Sequence, residues 1–233
     1  TLFRSEALVA GEPRYRIDQI WSGLYDRCDD FADMTNLPSS LRDRLALHLP
    51  NALTEVTRSV GDRGNTVKWL WQLRDGATVE TVLMHYDKRS TVCISSQAGC
   101  AMACGFCATG QAGFQRHLDT GEIVEQVVRA IREARPRRVS NIVFMGMGEP
   151  MANYDGTWEA VERFHGDIGI SARHLTISTV GLIPGIRRRA AESLPVNLAV
   201  SLHAANDTLR DELVPVNRRY PIADLVAACQ DYL

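Results

Sequence analysis

The sequence predicts an α/β protein: a partial, incomplete parallel βα barrel preceded by a small helical module and a short antiparallel β meander. Three observations predict it. The apolar period changes from helical to two near Thr54. From about Tyr86 the order strand, loop, helix repeats four times, and alternating βα units imply a parallel sheet with right-handed crossovers. A closed eight-stranded barrel needs about 250 residues, so a segment of this size within a 233-residue chain has room only for an open part of one. The expected division is 1–52 for the helical module, 53–85 for the meander and 86–233 for the βα core.

In the first segment Ile17, Ile20, Trp21 and Leu24 recur at helical spacing. Ser39-Ser40 is placed to cap a helix through Leu49, with Leu41, Leu45 and Leu49 on one face, and Pro50 stops it. Such a module suits either gripping RNA or packing, and Cys28 reads as a core or half-buried thiol. Glu55–Val60, Thr66–Gln72 and Thr78–Met84 then read as strands, divided by turns at Gly61–Gly64 and Asp75-Gly76. Trp69 and Trp71 share one strand face and are expected to cover a core.

In the βα core the strands are Ser90–Ser95, Val139–Met145, His174–Thr179 and Val196–His203. Asp119 or Thr120 caps a helix that turns Ile123, Val124, Val127, Val128 and Ile131 inward, with Glu122 favoured by the helix dipole in its first turn. Further helices are expected near Thr157–Phe164, after Pro184, from Asp207 to Leu213 and from Pro221 to Leu233. Polar residues gather at the C-terminal strand ends, where barrels place their chemistry. In the first of these strands Val92 and Ile94 share one face, and Thr91, Cys93 and Ser95 share the other. Cys93 is therefore expected to face the barrel interior.

Composition narrows the class. An apolar content of 45% permits a substantial core, and a net charge of −2 gives no global signal for nucleic acid. Basic residues do cluster at Arg135, Arg137 and Arg138, at Arg187-Arg188-Arg189 and at Arg218-Arg219; each reads more readily as a solvated face than as a phosphate site. No apolar run approaches a membrane span and no signal peptide opens the chain. Six cysteines, three of them in one loop, point to metal chemistry in a reducing cytoplasm. Thr1 in place of Met, and a final helical pattern without an end, make the chain read as a fragment.

That loop is Cys100-Ala-Met-Ala-Cys104-Gly-Phe-Cys107. Three thiols at spacings of four and three let one loop fold around a single inorganic centre. Iron–sulfur cubanes usually take four thiolates; three would leave one iron with an open coordination position, the mark of a catalytic site. Zinc sites favour two Cys-x-x-Cys knuckles, or one knuckle with histidines. The alternative readings are three buried reduced thiols, or a zinc knuckle completed by His117.

The cysteine loop, with Phe106 before its last cysteine, resembles the signature of the radical SAM superfamily. Val92-Cys93-Ile-Ser-Ser-Gln-Ala-Gly-Cys100, Gly146-Met-Gly-Glu-Pro150, Thr176-Ile-Ser-Thr179 and Ser201-Leu-His203 resemble, together with it, the RlmN/Cfr family of radical SAM adenosine methyltransferases, and the RlmN branch most. The resemblance runs over nearly the whole chain and implies a partial barrel of radical SAM type. It implies a [4Fe-4S] cluster on Cys100, Cys104 and Cys107, and S-adenosyl-L-methionine against Gly148, Glu149, Ser178, Ser201, Leu202 and His203. It implies Glu80 as a proton acceptor and Cys93 as the thiol that resolves a protein–RNA crosslink through a disulfide.

The implied reaction is methylation of adenine carbon 2 in 23S rRNA and in tRNA. That carbon is electron-poor and carries no acidic proton, so ordinary transfer from S-adenosylmethionine finds no nucleophile there. In the family a cysteine near the C-terminus is methylated first, and a deoxyadenosyl radical then takes hydrogen from its S-methyl group, so that the cofactor carries the difficult step. That cysteine lies beyond the point where this sequence ends, and Cys229, in an apolar helical run, is no match for it. The chain alone is therefore expected to be inactive. The implied partners are 23S rRNA, tRNA and a low-potential electron donor such as flavodoxin, acting on a cytoplasmic monomer without a membrane. The rival readings are a Cfr-like carbon-8 enzyme, another radical SAM enzyme, and a non-catalytic cluster-containing RNA-binding protein.

Overall fold

The structure, a computed structural model, describes residues 11–232; the expected helical turn at Leu233 lies outside them. Helix α1 (Tyr15–Trp21) runs on into a wider π turn, Ser22–Asp26, and α2 spans Ser39–His48. Ile20, Met34, Leu37, Leu41 and Leu45 form a small core of their own, with Leu49 packed against it. The helical face read from the leucine spacing is thus the buried one. The capping expectation differs: Pro38 occupies the N-cap and no side chain caps the helix. Proline pre-sets an extended entry that starts a helix without a hydroxyl.

Strands β1 (Leu53–Gly61), β2 (Thr66–Leu73) and β3 (Thr78–His85) form the expected meander. They are not a separate sheet. β3 pairs antiparallel with β4 (Ser90–Cys93), and β4 pairs in parallel with β7 (Val139–Phe144), then β8 (Leu175–Thr179), then β9 (Asn197–Val200). The result is one seven-stranded sheet in the order β1-β2-β3-β4-β7-β8-β9. Two strands were not read from the sequence. β5 (Gln97–Gly99) and β6 (Phe114–His117) form an antiparallel pair that brackets the cysteine loop and the short helix α3 (Ala108–Gln111). At three and four residues they are too short to show a period.

Helices α4 (Thr120–Ala134), α5 (Tyr154–Gly166) and α6 (Ile183–Ala190) make the crossovers, followed by α7 (Asp207–Leu213) and α8 (Ile222–Tyr232). Asp119 is the N-cap of α4, and with Glu122 it completes a reciprocal capping box. Glu122 therefore does more at this terminus than meet the dipole. Val92, Ile94, Ile142, Phe144, Leu175 and Ile177 from the parallel strands share one core with Ile123 and Val127 of α4 and Val161 and Phe164 of α5. Trp69 and Trp71 belong to the same core, with rings 5.7 Å apart. The other sheet face carries the polar set.

Candidate active site

Register places that set in two rows. Cys93 lies level with Val82 on β3 and Val143 on β7, and Val143 lies level with Thr176 on β8. One step toward the C-terminal strand ends come Glu80 and Ser178, on the same face by alternation. The Ser95 hydroxyl donates to the Glu80 carbonyl at 2.6 Å and accepts the Met147 N–H at 2.9 Å, tying β3 to the rim. Val92 and Ile94 go into the helix-side core, so Cys93 points away from it. Burial pushes the Cys93 thiol up to about 11; the Met145 N–H opposes this and the Glu80 carboxylate adds to it. Glu80 itself pairs with Lys68 at 2.7 Å.

The cysteine loop needs special backbone. Gly99 has φ +74, and a Cβ there would lie 2.0 Å from the Gly113 carbonyl oxygen, so β5 and β6 can meet only with glycine at this point. The Cys100 N–H donates to that carbonyl, and the Gly105 N–H donates to Leu213 at the end of α7. Cys107 caps α3, with the Gly110 N–H directed at its sulfur at 3.4 Å, and the Met102 N–H is directed at Cys100. Cys104 is 5% exposed. Burial, then the neighbouring Cys100 and Cys107 thiols and Glu149, push its thiol up to about 11.

Glu149 follows Gly148, whose φ of +99 lets the chain pass Gln97 at a distance that a Cβ would close. The Glu149 carboxylate accepts the N–H groups of Val180 at 2.8 Å and Met151 at 3.0 Å, and its own N–H donates to the Gln97 side chain. It is 2% exposed. The acid is thus occupied in joining two βα loops, with only second lone pairs left for a ligand. Next to it, the Ser178 and Ser201 hydroxyls lie 3.4 Å apart, and the Phe106 ring of the cysteine loop rests on His203 with centroids 4.4 Å apart. His203 has φ +60, the left-handed region.

Burial makes Glu149 bind its proton more tightly in the folded chain: its carboxyl lies above the usual carboxylate range, with the Val180, Thr179 and Met151 donors pulling it partly back. The stability this contributes is complete below the unfolded carboxylate value and is lost as pH rises through the raised folded one. Glu149→Gln should remove that falling slope, at a pH-independent cost of roughly 1–3 kcal/mol for a donor set against backbone N–H groups. Urea unfolding of both metal-free chains between about pH 4 and about pH 8 checks this. Parallel profiles would show that Glu149 titrates alike folded and unfolded.

Beneath the rim lies a residue that sequence reasoning missed. Arg210 of α7 is 0% exposed. Its guanidinium donates to the carbonyls of Val180 at 2.6 Å, Leu202 at 3.0 Å and Ser201 at 3.4 Å, and to Asn217 Oδ1 at 2.7 Å. No carboxylate touches it among the described residues; Asp207 and Asp211 reach it through the Asn217 amide. The Val180 peptide is thus held by Glu149 on one side and by Arg210 on the other. One arginine in a seven-residue helix gives no sequence signal of burial.

The sequence-predicted residues therefore fall into two neighbouring groups. Cys100, Cys104, Cys107, Gly148, Glu149, Ser178, Ser201, Leu202 and His203 meet at the C-terminal strand ends. Glu80 and Cys93 adjoin one another on the sheet face. All six cysteines are free thiols, so the disulfide implied for Cys93 has no partner among them. Cys28 belongs to the main core, and Cys229 packs beside the α6–α8 cluster.

The donor chemistry fits an iron–sulfur cluster. Three thiols share one loop, and backbone N–H groups are directed at two of them, as suits thiolates. Among the described residues no three Cys, His, Asp or Glu side chains form a chelating group for a single metal ion. A cubane makes no such demand, because each thiolate takes its own iron. His117, the residue a zinc knuckle would recruit, contacts Gln97 Nε2 through Nδ1 at 2.9 Å.

Residues 94–232 match the family model of the radical SAM superfamily. The chain belongs to that superfamily. Residues 6–49 match a second model, the ribosomal RNA large subunit methyltransferase N-terminal domain. The chain is 55% identical over 233 residues to a probable dual-specificity RNA methyltransferase RlmN of Chloroflexus aurantiacus, covering 96% of this chain and 62% of the relative. It is 51% identical over 249 residues to a protein of the same description from Parafrankia, covering 98% and 65%. The chain thus spans somewhat under two thirds of these relatives. The crystal structure of a radical SAM methyltransferase from Sphaerobacter thermophilus superposes over all of this chain and 70% of its own, with a TM-score of 0.92 and 50% identity. The superfamily's partial barrel is the fold seen here. Among the described residues no helix is long and apolar enough to cross a membrane.

Proposed function

We propose that this chain is the cluster- and S-adenosylmethionine-binding part of an RNA methyltransferase that methylates carbon 2 of adenine in 23S rRNA and tRNA. One observation carries the reading: the three-cysteine loop meets the βα loops at 148–149, 178–180 and 201–203 in a single rim, through Phe106 on His203 and Glu149 beside Cys100 and Cys104. The RNA specificity is taken from the curated relatives, whose likeness runs through 96–98% of the chain.

In this reading Cys100, Cys104 and Cys107 hold a [4Fe-4S] cluster, and Gly148, Glu149, Ser178, Ser201, Leu202 and His203 receive S-adenosylmethionine. When bound, the cluster supplies the electron for reductive cleavage of the sulfonium. The protein orients and excludes water. Glu149 offers its remaining acceptor lone pairs to a ligand ammonium, while keeping the Val180 loop in position. Phe106 and His203 close the rim over the cysteine loop. Glu80, paired with Lys68, receives the adenine ring proton. Cys93, half-buried beside it, stays a thiol near neutrality until it resolves the covalent protein–RNA species. Cytoplasmic action, and an external low-potential electron donor such as flavodoxin, belong to the same proposal.

The test is expression of the full-length protein carrying this sequence in a cell that lacks the modification. Its 23S rRNA and tRNA are then digested and their nucleosides analysed. 2-Methyladenosine is the expected product. 8-Methyladenosine would move the chain to the carbon-8 branch, and neither product would overturn the reading.

A further inference from the structure

A second polar site lies at the other end of the same strands. The turn joining β3 to β4 and the residues leading into β7 enclose an open hollow of about 490 Å³. Lys88, Arg89, Arg137 and Arg138 line it, and Asp87 is the one carboxylate among its lining residues. Four cations against one acid stand out on a chain whose net charge is −2. Among the described residues no ion pair takes up any of the four.

The contrast with Arg135 is informative. That arginine, from the same basic cluster, is spent on Asp29 and on the Arg27 carbonyl of the helical module, whereas Arg137 and Arg138 are left facing the hollow. Gathering unpaired cations raises self-repulsion, which a bound anion relieves. At the lip, the Arg89 guanidinium lies 4.9 Å from the Tyr86 ring centroid, and Tyr86 is 49% exposed. An exposed aromatic beside guanidinium groups is the surface on which nucleic-acid bases stack next to their phosphates.

We propose that this hollow is a phosphate-binding site which engages the phosphodiester backbone of RNA away from the reacting base. The RNA source of the phosphate rests on the RNA-modifying reading above; the phosphate chemistry does not. Because β4 runs from Ser90 at the hollow to Cys93, and a strand rises about 3.3 Å per residue, the hollow is on the order of 10 Å from Cys93, with the rim a further step along the strands. One folded RNA can span that distance.

The experiment uses the cluster-loaded full-length protein and its Arg137→Gln/Arg138→Gln variant. Binding of a labelled 23S rRNA fragment is measured across a salt series, and binding of inorganic pyrophosphate by calorimetry. Iron content and thermal midpoint establish that the variant is folded; if it is not, Lys88→Gln replaces it. The double variant should reduce the slope of log K against log salt by roughly 1.5, close to one phosphate contact per lost cation; Lys88→Gln should reduce it by about half as much. An unchanged RNA slope together with lost pyrophosphate binding would assign the hollow to a small free phosphate compound and overturn the RNA source. Unchanged RNA and pyrophosphate binding would overturn the site altogether. If the wild-type protein does not bind RNA, the RNA-modifying reading has failed, and the pyrophosphate comparison still decides for or against the hollow.

Discussion

Cys104→Ala will leave anaerobically reconstituted protein without the broad visible absorbance of a [4Fe-4S] cluster, and with iron near background. Cys104 is the middle thiol of the loop and the one most withdrawn from water, at 5% exposure. Its thiol is pushed up to about 11 by burial and by the thiols on either side, so near neutrality it carries its proton. Iron must displace that proton, since the thiolate is the ligand. On the proposed assignment, two remaining thiols are too few to hold the cubane. Cys229→Ala, on the α6–α8 cluster, should retain the full cluster. Assembly should also release protons and weaken as pH falls. Cluster absorbance persisting in Cys104→Ala, or a stoichiometric tetrahedral zinc site in the parent protein, would overturn the assignment of the loop.

Arg210→Met should have the next largest effect, on stability and on S-adenosylmethionine binding together. The side chain is fully buried, and its donors satisfy three carbonyls from two different βα loops. Methionine fills much of the volume and leaves Val180, Ser201, Leu202 and Asn217 with unmet acceptors. Unmet buried polar groups cost about 1–3 kcal/mol each and do not add fully, so a loss on the order of 3–5 kcal/mol is expected. Lysine will not rescue it, because a single ammonium cannot reproduce a fork that serves several carbonyls. Urea unfolding measures the first effect. Calorimetric titration of cluster-loaded protein with S-adenosylmethionine measures the second, expected as an affinity loss of roughly tenfold or more. Reduced stability with unchanged affinity would show that Arg210 supports the fold without setting the rim.

The sequence alone determined what local pattern can carry. The period change near Thr54, the order of the βα units and the inward face of α4 are each written in residues close along the chain, because side-chain direction repeats every two or 3.6 residues. The cysteine spacing is equally local, and so is the split of Val92 and Ile94 from Cys93. The tertiary structure decided everything that depends on which distant segment arrives. Pairing of β3 with β4 merged the meander into the parallel sheet and brought Glu80 to Cys93, through a register that neither strand specifies alone. The carboxylate of Glu149 turned out to be engaged by backbone N–H groups of another loop. Arg137 and Arg138 separated from Arg135 because only Arg135 reaches the helical module. Arg210 shows the reason most directly. A cation is buried only where enough acceptors converge to replace its water, and here those acceptors come from Val180, Ser201 and Leu202, as much as thirty residues away along the chain.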